Sequence, residues 1–387
     1  MIWSWAWRWI MTEAVTLQGV LQRYLGDYRQ THALDARRQA VCRHVTECRT
    51  EALGGLQLQC DHCGDDRVHW FSCRDRHCPQ CQKRASGAWS EKQQRNLLPA
   101  TYFHLVFTLP EAINGWARLH PEIIYRLLFS AVWETLKVFG ADPKRLGGEL
   151  GMTAILHTWG QTLSQHLHLH CLVPGGALTE KGEWHQVKGS YLFPVRALSR
   201  RFRGHMVSQL RLAHESGDLP RITDPGEPSQ TLDRLMQHDW VVYSRPGLSE
   251  PEQVIDYLAR YTHRTAISNA RLLSMDDSQV RFRYKDYRDH DRHKVMTLQA
   301  GELIRRFLQH VLPKGLMRIR HYGFLANSCR SRKLALIRTA LACAQAIISR
   351  EDNDEPAERF AGYPCTQCGQ GMLRITAELA PVRWEGG

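Results

Sequence analysis

The stretch HLHLHCLVPGG, from His166 to Gly176, limits what this chain can fold into more than any other part of it. Histidine and leucine alternate. On a β-strand successive side chains point to opposite faces, so His166, His168 and His170 share one face while Leu167 and Leu169 take the other. Such a strand leans on an apolar core by its leucines and presents imidazoles on the far side. Neutral imidazole is the commonest protein metal ligand, and two or three on one rigid face hold a divalent ion with little ordering cost. The alternative is a half-buried strand whose histidines serve only as hydrogen-bonding groups.

The flanking sequence supplies a sheet for this strand. TYFHLVFTLP places β-branched and aromatic residues before Pro110 and reads as a strand. The segment after it has helical periodicity through Ile123, Leu127, Leu128, Val132 and Leu136, and MTAILHTWGQTLSQHLHLHCLVPGG then gives two strands. Strand, helix and hairpin form an antiparallel α+β pattern.

Cysteine usage points to a second kind of metal chemistry. The run CDHCGDDRVHWFSCRDRHCPQC holds two Cys-x-x-Cys pairs, Cys60 with Cys63 and Cys78 with Cys81, at an interval that fits a zinc ribbon or finger. Four thiolates would close a tetrahedral sphere, so the expected role is structural. Cys48, Cys73 and His77 are candidates for a second site or for substitution in the first, with Cys42 and His44 nearby. A further pair, Cys365 and Cys368, follows the acidic, proline-containing stretch EDNDEPAER, which reads as a linker. Two thiols make half a site, so zinc there would need ligands from elsewhere or from a partner chain.

With 387 residues the chain is long enough for two or three domains. Its 51 Lys and Arg against 39 Asp and Glu give a formal charge of +12, which favours a polyanionic partner, nucleic acid first. The opening MIWSWAWRWIM is too short to span a bilayer and lacks a cleavage site. It reads as an upstream extension, with Met11 an alternative start before the helix-like run AVTLQGVLQRYL. No later segment looks transmembrane, and a cytoplasmic location is expected, where clustered thiols stay reduced.

In EQVIDYLARYTHRTAISNARL, Tyr257 and Tyr261 lie four residues apart, on one face of a helix with Arg264 and near His263. Taken alone, such a pair more often packs on a core. Beside a metal held by His168 and His170 it acquires another reading, because a phenol with a pKa near 10 needs a nearby cation to act as a nucleophile at neutral pH. The rival is a metal-dependent hydrolase that makes no covalent link. A second rival is a zinc-dependent DNA-binding protein, or degenerate relative, without strand-transfer activity.

These segments, together with CRTEALGG, SCRDRHCPQCQ, YLARYTHRTAISN, RYKDYR and FLQHVLPKGLMRIRHYGFLAN in that order, make the chain resemble the two-tyrosine HUH transposases of rolling-circle insertion sequences, the IS91 family. The resemblance covers most of the chain. It implies an α+β HUH nuclease domain with a central antiparallel sheet flanked by helices, preceded by a small cysteine-rich zinc-binding domain. The divisions expected are an extension and helix over 1–40, the zinc-binding domain over 41–98, the nuclease over 99–325, and a basic helix, acidic linker and Cys-x-x-Cys tail over 326–387.

By the same resemblance Tyr257 and Tyr261 are the nucleophiles, and His168 and His170 hold Mg²⁺ or Mn²⁺. His104, Gln161 and His263 are candidates for the third ligand, His104 favoured because its strand should lie beside the histidine strand. Structural Zn²⁺ is implied for the cysteines. The partners implied are the single-stranded ends of the mobile element and target DNA, in a bacterial, nucleoid-associated setting. Arg264, Arg318, Arg320, Arg330, Arg332 and Lys333, with Tyr322 and Phe324 interleaved, are candidates for DNA contact. The basic helix around LSRRFRGHMVSQLRL would dock on DNA or within the protein.

Overall fold

The computed structural model describes residues 14–82, 96–224, 226–248, 253–254, 265–287, 289–341 and 363–382. Its centre is a five-stranded sheet in the order β12-β4-β5-β3-β8, built from β3 (Tyr102–Thr108), β4 (Gly151–Trp159), β5 (Gln165–Pro174), β8 (Val242–Leu248) and β12 (Ile319–Gly323). Every neighbouring pair is antiparallel. This is the α+β architecture expected, with β5, the histidine strand, in the middle.

The alternation in β5 decides the two faces. Leu167, Leu169, Cys171 and Val173 are buried in the largest core. Over them lie α4 (Pro121–Ala141) and α5 (Val195–Glu215). In α4, Pro121 presets the first turn, and the buried Ile124, Leu128, Ala131 and Thr135 recur at the three- to four-residue spacing of one helix face. The basic helix α5 buries Leu198, Phe202, Met206 and Leu210 in the same core, so its apolar face docks within the protein.

The opposite face is divided. At one end Ile155 and Leu172 are covered by Val254, Phe324 and two residues of α8 (Arg330–Ala340), Leu334 and Ile337. At the other end the histidines border an open cleft.

A second core joins distant parts of the chain. Helices α1 (Leu17–Thr31) and α2 (Ala36–Glu47) pack with the meander β9 (Leu272–Asp276), β10 (Gln279–Asp286) and β11 (Arg292–Gln299) and with α7 (Ala300–Leu308). Cys48, Cys78 and Cys81 belong to this core, and Trp159 and Leu163, at the turn between β4 and β5, reach into it. The thiol-bearing loop and the histidine sheet are therefore held by one apolar body.

The N-terminal hairpin β1 (Gly55–Cys60) and β2 (Asp66–Trp70) extends a separate sheet in the order β13-β14-β1-β2, with β13 (Tyr363–Pro364) and β14 (Met372–Leu379) from the other end of the chain. Among the described residues no helix is long and apolar enough to cross a membrane.

Candidate metal centres and nuclease site

Cross-strand register brings three imidazoles together. His168 of β5 faces His157 of β4, while His170 faces Ile155 on β4 and Val106 on β3. Directly opposed residues point to the same face, so His157, His168 and His170 form one patch, with possible ligand nitrogens all within 4.8 Å of one another. His168 Nδ1 donates to the His166 carbonyl at 2.8 Å, which leaves Nε2 as its lone-pair nitrogen. His157 stacks on Trp159, ring centres 4.7 Å apart, and this fixes its plane.

His104 behaves differently from the expectation that it would be the third ligand. Its Nε2 lies 2.9 Å from His170 Nδ1, behind the cluster, and His157 supplies the third imidazole. The reason is register: His104 faces Leu172, one pleat beyond His170. Burial, with Arg245 opposite it on β8, pushes the His104 pKa down to about 4. With a metal on His170 Nε2, the neutral His104 would accept the Nδ1 proton of His170 at this contact, the outer-shell role that commonly orients metal-binding histidines. Gln161 instead donates to the Tyr287 hydroxyl at 3.2 Å across the cleft. His166 is exposed and lies outside the triad. Three imidazoles on one face fit a divalent ion and leave coordination positions for substrate oxygens.

The cleft above the triad is closed on its far side by β10, whose RYKDYR segment contributes Tyr284, Lys285 and Asp286, and by Arg271 just before β9. Lys285 pairs with Asp291 at 2.8 Å, and that partner keeps its ammonium pKa above the usual lysine value. Lys294 bridges Asp286 and Asp289, both at 2.9 Å. The residues of this motif carry no recognisable chemistry by themselves; their place at the cleft wall comes from the meander.

Among the described residues cysteines form two four-sulfur clusters. Cys48, Cys73, Cys78 and Cys81 make one, with Cys48–Cys81 and Cys73–Cys81 sulfur separations of 3.6 Å. Cys60, Cys63, Cys365 and Cys368 make the other. Tetrahedral zinc with Zn–S bonds of about 2.3 Å requires sulfur–sulfur edges of about 3.8 Å, so the spacing fits zinc and is far too long for disulfides. In the first cluster the hydrogen bonds from Cys73 and Cys78 hold the Cys48 thiol far below its ordinary pKa. Their counterpart on Cys73 pushes that thiol up.

The expectation that Cys60, Cys63, Cys78 and Cys81 share one site is thereby corrected. The Cys60–Cys63 turn sits at the tip of the β1–β2 hairpin and Cys73 follows its base. Four ladder steps, from Gly55 opposite Trp70 to Gln59 opposite Asp66, separate the two ends by roughly 14 Å. His77 is also excluded as a ligand: its Nδ1 donates to Asp75 at 2.8 Å, and its Nε2 accepts the Leu312 N–H at 3.2 Å. Cys42 is buried in α2 outside both clusters, and burial pushes its pKa up to about 11.

The basic residues expected on DNA do not share one surface. Arg318 is 9 % exposed, and Phe324 is fully buried, so neither is available for contact. Arg320 stacks on Phe129 with its guanidinium carbon 4.2 Å from the ring centre, and Tyr322 stacks on Trp133. Lys333 pairs with Glu149, while Arg332 is exposed beside it; Arg330 lies on another side of α8, near His321 and Thr153. Tyr257, Tyr261, His263 and Arg264 lie outside the described residues.

An antiparallel sheet that presents a His-Leu-His strand, joined to a cysteine-rich module, defines an HUH-type domain with an attached zinc-binding unit. The chain belongs to the IS91-type transposases. Residues 151–332 match the Y2_Tnp family, described as "Putative transposase", and residues 20–109 match the IS91 "Transposase zinc-binding domain". Its relatives include "Putative transposase y4qJ" of Sinorhizobium fredii, 45 % identical over 93 % of this chain and 94 % of that protein. The transposase for insertion sequence element IS801 of Pseudomonas savastanoi pv. phaseolicola is 29 % identical over 88 % of this chain and 83 % of its own length. No solved structure matches the chain.

Proposed function

We propose that this transposase cleaves and rejoins single-stranded DNA at the ends of a rolling-circle insertion sequence, with Tyr257 and Tyr261 as nucleophiles opposite the His157, His168 and His170 centre. The observation that carries the reading is the imidazole triad, set on the paired strands β4 and β5 at the mouth of a cleft walled by Lys285 and Arg271. A divalent ion, Mg²⁺ or Mn²⁺, bound there would neutralise and orient a phosphate oxygen. Zinc in the cysteine module is structural, held in its buried cluster by Cys48, Cys73, Cys78 and Cys81.

The chain's residues divide the remaining work. The His166 carbonyl fixes the His168 tautomer, and His104 fixes His170. Lys285, paired with Asp291, and Arg271, held by the carbonyls of Gln161, Ala266 and Arg283, place positive charge along the cleft wall where the DNA backbone would run. Support for the tyrosines comes from Val254, which packs with Ile155 and Leu172 on the histidine face. Val254 stands three residues before Tyr257 in the chain. Attack by a tyrosyl oxygen on the scissile phosphorus forms one phosphoester and breaks another. The 5′ side stays on the enzyme, and the 3′ oxygen leaves with a proton as a hydroxyl. Two tyrosines allow a second strand to be cut before the first link is resolved by a free 3′ hydroxyl.

The test is incubation of the purified protein with single-stranded DNA from the element's ends and Mn²⁺, read by denaturing gel and peptide mass analysis. A DNA adduct on Tyr257 or Tyr261 that vanishes in the His168→Ala/His170→Ala variant is the expected result. Clean cleavage without adduct, persisting in Tyr257→Phe/Tyr261→Phe, would overturn the reading in favour of a hydrolase.

A further inference from the structure

Cys365 and Cys368 fall outside the segment that matches the transposase zinc-binding domain, yet their sulfurs meet Cys60 and Cys63 from the opposite end of the chain. We propose that these four thiols hold a second structural zinc ion, which clasps the C-terminal β13–β14 ribbon onto the N-terminal β1–β2 hairpin.

The two halves of the site have the same design. Each is a Cys-x-x-Cys-Gly knuckle, CDHCG at 60–64 and CTQCG at 365–369. In each, the glycine N–H donates to the carbonyl of the first cysteine, at 3.1 Å for Gly64 and 2.9 Å for Gly369. Both glycines have positive φ, +74° and +69°, a left-handed conformation that side chains disfavour. The knuckles face each other with sulfur separations of 3.8 Å for Cys60–Cys368 and 3.9 Å for Cys63–Cys365, the edge length of a zinc tetrathiolate. Backbone N–H groups of His62, Cys63 and Gly371 point at the sulfurs from 3.4–3.5 Å, as suits thiolates. Gly371 leaves room for this approach: a Cβ there would lie 2.5 Å from Cys60 Sγ.

The ribbon's own core argues that metal is needed. The apolar cluster of this sheet consists of Leu58, Cys60, Cys365 and Leu373, so half of its buried members are proposed ligands. A module that buries so little apolar surface ordinarily depends on metal or disulfides for its fold. Beyond the small Leu58–Leu373 apolar contact, what remains between the ends is polar: the β1–β14 ladder from Gly55 opposite Leu379 to Cys60 opposite Leu373, the Asp61–Arg374 pair at 2.9 Å, and an Arg67 bond to Thr366 Oγ1 at 2.6 Å. Exposed pairs of this kind contribute little. Zinc would therefore supply most of the free energy that keeps the tail on the zinc-binding domain, and β14 would cover an edge of β1 that is otherwise open to pairing.

Zinc counting on the full-length protein tests the site. The Cys365→Ser/Cys368→Ser variant should carry one zinc fewer per chain than wild type, with the rest of the protein folded by circular dichroism. In a second arm with all cysteines intact, a protease site inserted at 353–354 is cut. The fragment carrying 363–387 should co-elute with the body of the protein on gel filtration and separate once a mercurial reagent displaces zinc. An unchanged zinc count in the double serine variant, or release of the fragment on cutting while zinc is retained, would overturn the proposal.

Discussion

The leucine face and the histidine face of β5 are offset by a single residue, yet the leucine side is sealed under two 21-residue helices while the histidine side opens on a cleft. Leu169 and its neighbours Phe107 and Leu156 are fully buried and directly opposed across three strands. His168, one residue earlier, is opposed by His157 and Thr108. The contrast teaches that the strand's stability and its chemistry are separable: one face anchors the sheet, and the other is free to carry polar groups that a core would reject.

Single substitutions should break that symmetry in opposite directions. Leu169→Ala leaves a cavity in the largest core and is expected to cost about 2–5 kcal/mol of stability in urea unfolding. At temperatures where the variant is folded, Mn²⁺ binding should persist. His168→Ala should do the reverse, abolishing Mn²⁺ binding and adduct formation with a smaller loss of stability. If His168→Ala unfolded the protein as severely as Leu169→Ala, the division of labour between the faces would be wrong.

A second contrast lies among the imidazoles themselves. His310 is buried with its ring between the Thr158 hydroxyl at 3.2 Å and the Leu163 carbonyl at 3.0 Å. Burial pushes its pKa down to about 4, so the folded state favours the neutral ring. The stability it contributes is fully present above its ordinary pKa of about 6.5 and is lost as pH falls toward 4, roughly 3 kcal/mol over that window. His310→Gln should therefore lower stability at pH 7.5 and flatten its decline between pH 6.5 and 4, seen as converging urea midpoints. Parallel pH profiles for wild type and variant would remove His310 from the account.

The Leu/His alternation was legible in the sequence because period two is a local property. His157 was not. It stands alone in ILHTWG, and its membership of the triad depends on the β4–β5 register, which only the folded sheet sets. The cysteine knuckles were legible by spacing, but their allocation was not, because a hairpin carries Cys60 and Cys63 away from Cys73. The mates of Cys60 and Cys63 lie 308 and 302 residues along the chain. Arg318 illustrates the converse error. A basic run interleaved with aromatics suggests DNA contact, yet sequence does not encode which of its members face inward.

His104 offers the finest test of the comparison, since it stands on the histidine face without joining the His157, His168 and His170 cluster. At the proposed metal site its Nε2 contact with His170 Nδ1 would orient a ligand, and loss of such an outer-shell partner commonly weakens metal binding by about 10- to 100-fold. His104→Ala should therefore reduce Mn²⁺ affinity by that factor and require more metal for the same rate of adduct formation. His104→Gln, whose amide oxygen can accept the His170 proton, should recover part of the loss. A ligand in the coordination sphere would respond otherwise: His157→Ala should remove binding altogether, and glutamine should not restore it. If His104→Ala proved as damaging as His157→Ala, and glutamine gave no recovery, His104 would belong to the sphere itself. The register that sets it one pleat away would then have to shift when metal binds.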